Sequence, residues 1–497
     1  MSEHALHPVA SSGKTRDLIL IAIGFAIMAG IMLAPTPAGL SLVGQRIVAV
    51  MAFTVFMWIT EAIPYGASAV ALAFLLIVTL GSSPISGLTG TPLGTAKAIP
   101  FALSGFSNSG WLFVAAGLAM AAAITSTGLE KRVAFLILRL VGTRVNAMML
   151  GIIVTAFALT FLIPSVIARA ATMVPIVIGL IEAFGLPRTS QVGKAMLLLA
   201  GILPSVTGVG VLTGAAPNPV IVNFLTSAGQ PSIGYLQWLV DLFPYTIAYA
   251  AALYFAVTRL FKFEVDELPG GRAYLDSCIR ELGPMSAAEK RAAVIMALTI
   301  TLWASDALHH IEPAAVSVLA VLLLILPYVG VTTWTKLYQR MDWTSILLFG
   351  AGISMAEMFT KTGGAAWLAK VTFVESGIGN LSVTLMALVI FGAMFFVRFC
   401  FTSITSCLTA ITPAIIGFLV TLGNPALPIT GIVLGVSLVA QCLAIIPVTS
   451  APAMIAYGAQ GFTTKDMIRL GLPLTAVMYG LILVCMFIYW PIIGIWK

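Results

Sequence analysis

The stretch S-V-I-A-R-A-A-T-M-V-P, residues 165–175, decides how this sequence folds. It places a serine first, a proline eleventh and Arg169 between them, deep inside an apolar segment. A second stretch, S-I-T-S-C-L-T-A-I-T-P at 403–413, has the same frame, and Arg398 stands five residues before it. A charged side chain at membrane depth is costly and usually marks a functional site. Together the two stretches predict one anion site built from two related halves.

The composition indicates a membrane protein. The chain has 497 residues, of which 60% are hydrophobic and 9% are charged, and its mean hydropathy is +1.07. Many runs reach the ~20 apolar residues that span a bilayer, so the sequence predicts an all-α polytopic membrane protein. Its net charge of +7 does not indicate a nucleic-acid partner, because basic residues are expected in cytoplasmic loops. The five cysteines lack metal-ligand spacing, so neither a disulfide framework nor a metal site is predicted.

Breaks in the apolar segments predict about eleven transmembrane helices plus two re-entrant helical hairpins. Segments 147–184 and 381–420 are too long for one span and polar in their middle, which favours hairpins that return to the side they entered from. Two further spans are predicted to be broken, at G-V-G-V-L-T-G-A-A-P-N (208–218) and at P-V-T-S-A-P-A (447–453). Non-helical backbone at membrane depth is tolerated only where protein or water covers it, so these breaks point to an internal site.

The distribution of basic residues predicts the orientation. With the N-terminus cytoplasmic, 18 of the 25 Lys and Arg fall in inside segments and five fall outside, as the positive-inside rule requires. The two that remain are Arg169 and Arg398. The sequence thus predicts a multi-pass protein of a bacterial inner membrane with its C-terminus outside. Segments 82–108, 131–144 and 259–291 are predicted to be loops, the last at the junction between two halves.

The two halves share a pattern. A-G-L-A-M-A-A-A-I-T-S-T-G (116–128) aligns without gaps to A-G-I-S-M-A-E-M-F-T-K-T-G (351–363), and a hairpin and a broken helix follow each in the same order. The copies enter the membrane from opposite sides, and such inverted repeats with broken helices mark secondary transporters. The predicted parts are a cytoplasmic N-terminus (1–17), scaffold spans (18–128 and 292–360), a span with the cytoplasmic linker between repeats (228–291), a transport domain (147–227 and 381–460) and a last span (471–494).

These features resemble the divalent anion:sodium symporter family, the INDY-like di- and tricarboxylate transporters. The resemblance runs from W-I-T-E-A-I-P (58–64) through A-L-S-G-F-S-N-S (102–109) to T-G-A-A-P-N (213–218) and the final broken helix. The family's mark is Ser-Asn-Thr at each hairpin tip. Here the tips are Ser165-Val166-Ile167 and Ser403-Ile404-Thr405, without either asparagine. The run A-R-A-A (168–171) resembles the family's citrate, tartrate and dicarboxylate exchangers.

The resemblance implies which residues form the site. Substrate would contact Ser165, Ser403 and Thr405, and would face Ala215, Ser450 and Ala451. Two sodium ions would be held by the tip serines Ser165 and Ser403 and by the backbone carbonyls of Gly214 and Thr449. The resemblance also implies a homodimer that moves its substrate by an elevator-like motion.

From the residues themselves, Arg169 and Arg398 are expected to bind the anion. The planar guanidinium donates two parallel hydrogen bonds to a carboxylate. The alternative is structural: each arginine satisfies backbone carbonyls of an unwound tip. An acid, Glu357, also lies inside a predicted span and is expected to pair with a neighbour.

The sequence predicts a secondary active transporter of organic anions, most of all di- or tricarboxylates, rather than an enzyme. Exchange of one anion for another is favoured, because two permanent charges would burden an empty carrier crossing a low-dielectric barrier. The alternatives are a sodium-coupled carboxylate, sulfonate or sulfate symporter, and an antiporter of a related ion-transporter clan. The partners are then a small organic anion, the lipid bilayer and a second copy of the chain. No cofactor is predicted; sodium is the one coupling ion that the resemblance suggests.

Overall fold

The computed structural model describes residues 11–84, 92–267, 271–371 and 377–496; parts of the predicted N-terminus, of two loops and Lys497 lie outside these ranges. Each described part is built from helices, connected by turns and two isolated bridges. The α-helices are α1 Ser11–Leu33, α2 Leu42–Thr60, α3 Tyr65–Gly81, α4 Thr95–Ala102, α5 Ser109–Thr125, α6 Leu129–Val141, α7 Val145–Leu162, α8 Val166–Ala183, α9 Gln191–Val209, α10 Pro217–Ser227, α11 Tyr235–Leu260, α12 Gly271–Leu282, α13 Ala287–Ala304, α14 Asp306–His309, α15 Pro313–Ile325, α16 Trp334–Arg340, α17 Trp343–Lys361, α18 Gly364–Ala369, α19 Val383–Arg398, α20 Ile404–Thr421, α21 Ile429–Cys442, α22 Ala451–Tyr457, α23 Thr464–Val484 and α24 Trp490–Ile493.

The helices confirm an all-α polytopic membrane protein. Among the described residues, eight helical segments are long and apolar enough to cross a bilayer, or nine if α5 and α6, bent by 69°, form one span. Shorter apolar helices, α3, α15, α19 and α21, add to these. The predicted hairpins correspond to α7 with α8 and to α19 with α20, and the predicted broken spans correspond to α9 with α10 and to α21 with α22.

The prediction of three loops was wrong in part. Segment 131–144 is mostly α6, in which Ala134, Phe135 and Leu138 are buried together with Arg132. Segment 259–291 contains α12, and segment 82–108 contains α4 and a 3₁₀ turn at Ser104–Ser107. These helices were missed because each is short and amphipathic, and much of its stability comes from packing on its neighbours rather than from its own propensity.

Both copies of the repeated motif end in the same way. Gly128 has φ +79° and Gly363 has φ +81°, and each starts a new helix, α6 in one case and α18 in the other. A residue with a side chain is strained in this left-handed conformation, whereas glycine adopts it freely. The aligned T-G pairs therefore make the same helix–turn–helix corner in both halves.

The described helices fall into two compact units. One comprises α1 to α4, α17, α18 and the part of α20 from Thr409 to Thr421, and α1 packs on α2 through Phe25 and Phe53, whose ring centroids are 4.8 Å apart. The other comprises the remaining helices and contains every predicted site residue. The centre of this larger unit is formed by α9 and α21. Every residue of α9 except Gln191 and Lys194 is buried, and so is every residue of α21 except Thr430.

Candidate anion site at the two hairpin tips

The first hairpin turns at Ile163, Pro164 and Ser165. Ile163 is extended (φ −121°, ψ 103°), as expected for a residue that precedes proline. Ser165 then caps α8, and its Oγ accepts a hydrogen bond from the backbone N–H of Ala168 at 3.2 Å. A serine in this position satisfies one of the free N–H groups of the first helical turn. The positive end of the α8 dipole is thus at the tip.

Arg169 lies one turn after this cap and is fully buried. Its Nη1 donates to the carbonyl of Ile163 at 2.8 Å, and its Nη2 donates to the carbonyl of Pro204 at 2.6 Å. Its Nε has no hydrogen-bond partner among the described residues. The guanidinium therefore fastens the tip to α9, and its Nε–H is left without an acceptor among the described residues. Its predicted role toward a substrate stays a prediction.

Arg398, at the end of α19, does the same for the second hairpin. It is also fully buried. Its Nε donates to the carbonyl of Ala440 at 2.9 Å, and its Nη1 donates to the carbonyl of Phe401 in the turn. Each arginine thus binds one carbonyl of its own tip and one carbonyl of the first half of its own broken helix. The two differ in position, because Arg169 follows its tip and Arg398 precedes its tip.

The break between α9 and α10 is closed by an asparagine. The Nδ2 of Asn218 donates to the carbonyls of Gly208 and Val211, each at 2.9 Å. Its Oδ1 accepts from Nε2 of Gln441 on α21 at 2.9 Å. Asn218 is fully buried, as is nearly all of Gln441. Two carbonyls that the break releases from the helix are therefore bound, and the bond to Gln441 joins the two repeats.

A second link crosses between the repeats. The hydroxyls of Ser205 on α9 and Ser450 in the second break lie 3.3 Å apart. Ser205 follows Pro204, whose carbonyl binds Arg169, and Gln441 follows Ala440, whose carbonyl binds Arg398. In each repeat, a carbonyl of the broken helix (Pro204 or Ala440) accepts a hydrogen bond from the arginine of the same repeat. The next residue (Ser205 or Gln441) forms a hydrogen bond with the break of the other repeat. Two buried hydrogen bonds therefore join the two half-sites.

Glycines allow the close approach at the first break. A Cβ at Gly214 would lie 2.7 Å from the carbonyl oxygen of Gly208, and a Cβ at Gly208 would lie 2.7 Å from Nη2 of Arg169 and 3.1 Å from Cγ1 of Val166. Neither position has room for a side chain. The guanidinium and Val166 thus pack against the same unwound segment that carries Gly214.

The other predicted residues occupy different surroundings. Ser403 Oγ accepts from the backbone N–H of Ser406 at 3.3 Å, so this serine caps its helix as Ser165 does. The hydroxyl of Thr449 donates to the carbonyl of Ile446 at 2.8 Å. Thr405 is half-buried, Ala215 and Ser450 are buried, and Ala451 is exposed. Glu357, in the smaller unit, pairs with Lys361 at 3.3 Å.

Cavities approach this region within the larger unit. A narrow cleft of about 10 Å³, which is room for about one water, lies beside Pro164, Thr213 and Ala215. It shares Phe113 and Pro219 with a cavity of about 780 Å³. We call this the large cavity; its polar lining includes Ser109, Asn223, Ser232, Gln237, Asp306, His310 and Glu312. The large cavity has room for a small organic anion, whereas the cleft at the tip is closed to one.

The sequence matches the family model described as the sodium:sulfate symporter transmembrane region over residues 15–496. The chain belongs to this family. This confirms the resemblance to the divalent anion:sodium symporters that the tip motifs predicted. In this family of membrane transporters, the tips Ser165-Val166-Ile167 and Ser403-Ile404-Thr405 depart from the Ser-Asn-Thr pattern.

Full-length relatives agree with this assignment. The chain is 32% identical over 474 residues to a protein named "Membrane protein" from Cupriavidus necator, covering 95% of this chain and 92% of that protein. It is 23% identical over 484 residues to the L-tartrate/succinate antiporter of Escherichia coli K12, covering 94% and 97%. It is 25% identical over 506 residues to the sodium-dependent dicarboxylate transporter SdcS of Staphylococcus saprophyticus, covering 96% and 92%.

Sequence reasoning missed three residues of this region. Gln441 and Ser205 join the repeats, and Asp241 places a buried carboxyl on α11. Each is a single polar residue in an apolar run, as in V-D-L (240–242) and V-A-Q-C (439–442). An isolated polar residue inside a span is expected to be functional or paired. The sequence therefore contained a signal for these residues, but the signal does not identify their partners.

Proposed function

We propose that this protein exchanges one di- or tricarboxylate for another across the bacterial inner membrane. The observation that carries the proposal is the pair of buried guanidinium groups, one fastened to each hairpin tip. They put two permanent positive charges where an anion would be held. A carrier with such charges needs no separate cation to offset a divalent anion.

The hydrogen bonds of the arginines define how they would act. Each guanidinium donates to two backbone carbonyls, so its charge would act on the anion mainly through its field. Direct contacts would come from the tip side chains and from backbone around the breaks. The residues proposed to contact substrate are Ser165, Ser403, Thr405, Ala215, Ser450 and Ala451, with Arg169 and Arg398 supplying charge.

Exchange follows from the charge balance. An empty transport domain would have to carry two unpaired cations through hydrocarbon, which is expensive. A loaded domain would carry them beside a compensating anion. Return of the empty carrier is therefore slow, and the carrier returns with a second anion. The relative named an L-tartrate/succinate antiporter supports this choice.

Sodium coupling is the alternative that a specific observation favours. A relative at 25% identity is named a sodium-dependent dicarboxylate transporter, and the carbonyls of Gly214 and Thr449 are the proposed ligands. Against it, Val166 and Ile404 bring no oxygen to the tips, and Asn218 already binds the carbonyls of Gly208 and Val211. Sodium binding needs several oxygens, so both sites would be weak.

The remaining features of the proposal follow from the family. Substrate would move with an elevator-like displacement of residues 147–227 and 381–460 against a scaffold, in a homodimer with the N-terminus cytoplasmic. A sulfonate or sulfate carrier would use the same charges and differ only in the anion it accepts.

The test is uptake into proteoliposomes that contain the purified protein. L-Tartrate, succinate, citrate and sulfate are each supplied outside, in sodium or choline medium, with the same anion or none inside. Exchange predicts uptake of a carboxylate that requires internal anion and is equal in sodium and choline. Uptake into empty liposomes that occurs in sodium and is absent in choline would replace exchange by symport. Preference for sulfate over every carboxylate would overturn the substrate class.

A further inference from the structure

Asp241 on α11 is a buried carboxyl that neither the arginine tips nor the exchange scheme uses. Its side chain is 1% exposed, and no ion pair of the described residues includes it. Its Oδ1 accepts a hydrogen bond of 2.6 Å from Nε2 of Gln237, one turn earlier on the same helix. A neutral amide provides no opposite charge, so the environment of Asp241 favours an uncharged, protonated carboxyl.

Gln237 connects this carboxyl to water. It is exposed and lines the large cavity of about 780 Å³. Val240, next to Asp241, lines the same cavity. The carboxyl is therefore buried but one side chain away from the large cavity. A proton that leaves Asp241 has a short route to the cavity, and one that arrives has the same route.

The groups that surround Asp241 provide no compensating cation. The last helical segment contributes Tyr489, whose hydroxyl donates to the carbonyl of Val240, and the buried thiol of Cys485. Trp490 donates its Nε1 to the carbonyl of Asp241. The cavity contributes the acids Asp306 and Glu312 and the imidazole of His310. Of these, His310 is the one group that can carry positive charge.

The charges on the packed helices are remote. Trp238 donates to the carbonyl of Val209 at one end of α9, whereas Lys194 lies fifteen residues away along that helix. Three other basic residues are also distant from α11: Arg144 before α7, Arg291 on α13 and Arg469 on α23. Each lies at the opposite end of its helical segment from the residue that contacts α11. At 1.5 Å per residue these charges lie about 18–32 Å from the contacts with α11, measured along their helices.

We propose that Asp241 is a proton-binding site whose occupancy sets the pH dependence of anion transport. This rests on the proposed function for its transport readout. The large cavity adjoins the cleft at the first tip, so an anion that enters by it passes Gln237 and Val240, the residues beside the buried Asp241. An ionised Asp241 repels the anion, and a protonated Asp241 does not. The proton is gained and lost on Oδ2, because Oδ1 faces the Gln237 amide in both forms.

The contact with the break links protonation to the site. The bond from Trp238 to Val209 ties α11 to the last residue of α9, next to the unwound segment that holds Gly214. Asp241 lies one helical turn after Trp238, the residue that contacts this break.

The experiment measures exchange of radiolabelled L-tartrate between about pH 6 and pH 8.5, a range in which its own carboxyl groups stay ionised. We expect wild-type exchange to fall about tenfold as the pH rises, within the range of electrostatic effects on anion entry. Asp241→Asn keeps the volume and the Gln237 contact and should stay at the acidic rate throughout. Asp306→Asn, in the same cavity, is the matched control and should keep the wild-type fall.

Two further measurements make the result independent of any single variant. Gln237→Leu removes the donor that favours the ionised form, so the fall should move to higher pH. The infrared carbonyl-stretch band of a protonated carboxyl should be present in the wild type at pH 6 and lose intensity in Asp241→Asn, whether or not tartrate is transported. An unchanged infrared spectrum, or a wild-type pH profile in Asp241→Asn, overturns the proposal. Failure of the wild type to exchange any carboxylate, with the infrared difference present, overturns the proposed function and leaves the proton site standing.

Discussion

Replacement of Arg169 by methionine tests the role of the guanidinium at the first tip. Methionine fills a similar length of side chain but has no donor. The carbonyls of Ile163 and Pro204 then lose hydrogen bonds of 2.8 Å and 2.6 Å in a site with no solvent access. A buried polar group left without a partner costs about 1–3 kcal/mol, which gives about 2–6 kcal/mol for both.

Relief of burial offsets part of this loss. A guanidinium in a low-dielectric site is itself unfavourable, and removing it returns some free energy. We therefore expect Arg169→Met to lower the free energy of unfolding by about 2–4 kcal/mol. Arg169→Gln, whose amide can donate to one carbonyl, should lose about half as much.

The assay is SDS-induced unfolding of the purified protein followed by tryptophan fluorescence. The matched control is Arg188→Met. That side chain is 43% exposed and pairs with Glu182 at the surface, so its loss should change the free energy by less than about 1 kcal/mol. If Arg169→Met unfolds at the same SDS fraction as the wild type, the guanidinium does not fasten the tip and the argument fails.

A ligand measurement then separates fastening from anion binding. An anion that binds the native state stabilises it by RT ln(1 + [L]/Kd), which grows with the anion concentration relative to Kd. If the charge of Arg169 attracts the anion, the stabilisation by L-tartrate or citrate should be lost in Arg169→Met and kept in Arg188→Met. Equal stabilisation of both variants would leave Arg169 with a structural role alone and would remove it from the proposed site.

Four further outcomes are expected. Arg132→Leu should cost about 3–5 kcal/mol, because it leaves the buried Glu289, now 2.7 Å from its Nε, without a cation; the unfolding assay measures this, and the double change with Glu289→Leu should recover much of the loss. Gly214→Ala should impair folding and transport, because its Cβ would meet the carbonyl of Gly208 at 2.7 Å, whereas Gly480→Ala, with open space around it, should be tolerated. Burial raises the pKa of Glu264, but hydrogen bonds from the backbone N–H groups of Gln191 and Val192 outweigh burial, so the pKa lies below its usual value. The ionised carboxylate therefore stabilises the fold above the usual pKa, and this stabilisation is lost as the pH falls through the lowered pKa. Thermal melting of Glu264→Gln should lack that acid-dependent loss. In a background without native cysteines, cysteine at 144 or 188 should label from the cytoplasm and cysteine at 423 from outside; labelling of 144 and 188 from opposite faces would contradict the first hairpin.

The sequence alone determined the class of fold and the order of its parts. Apolar length, proline and glycine act within a few residues, so the turn at Pro164 and Ser165, the breaks at 208–218 and 447–453 and the T-G corners at Gly128 and Gly363 could all be predicted from local rules. Repetition of the frame then indicated two half-sites. The family followed from the same motifs.

The tertiary structure decided what the polar residues bind. Arg169 and Arg398 could be identified because a charged side chain in an apolar segment is energetically costly. The sequence left open whether they face a substrate or the backbone. Their carbonyl partners, Pro204 and Ala440, lie 35 and 42 residues away, and Gln441 lies 223 residues from Asn218. Every residue has a backbone carbonyl, so no pattern of residue types in the sequence shows which carbonyl a guanidinium will bind. Asp241 shows the same limit, because only folding buries this acid without an ion pair among the described residues and next to residues that line a cavity.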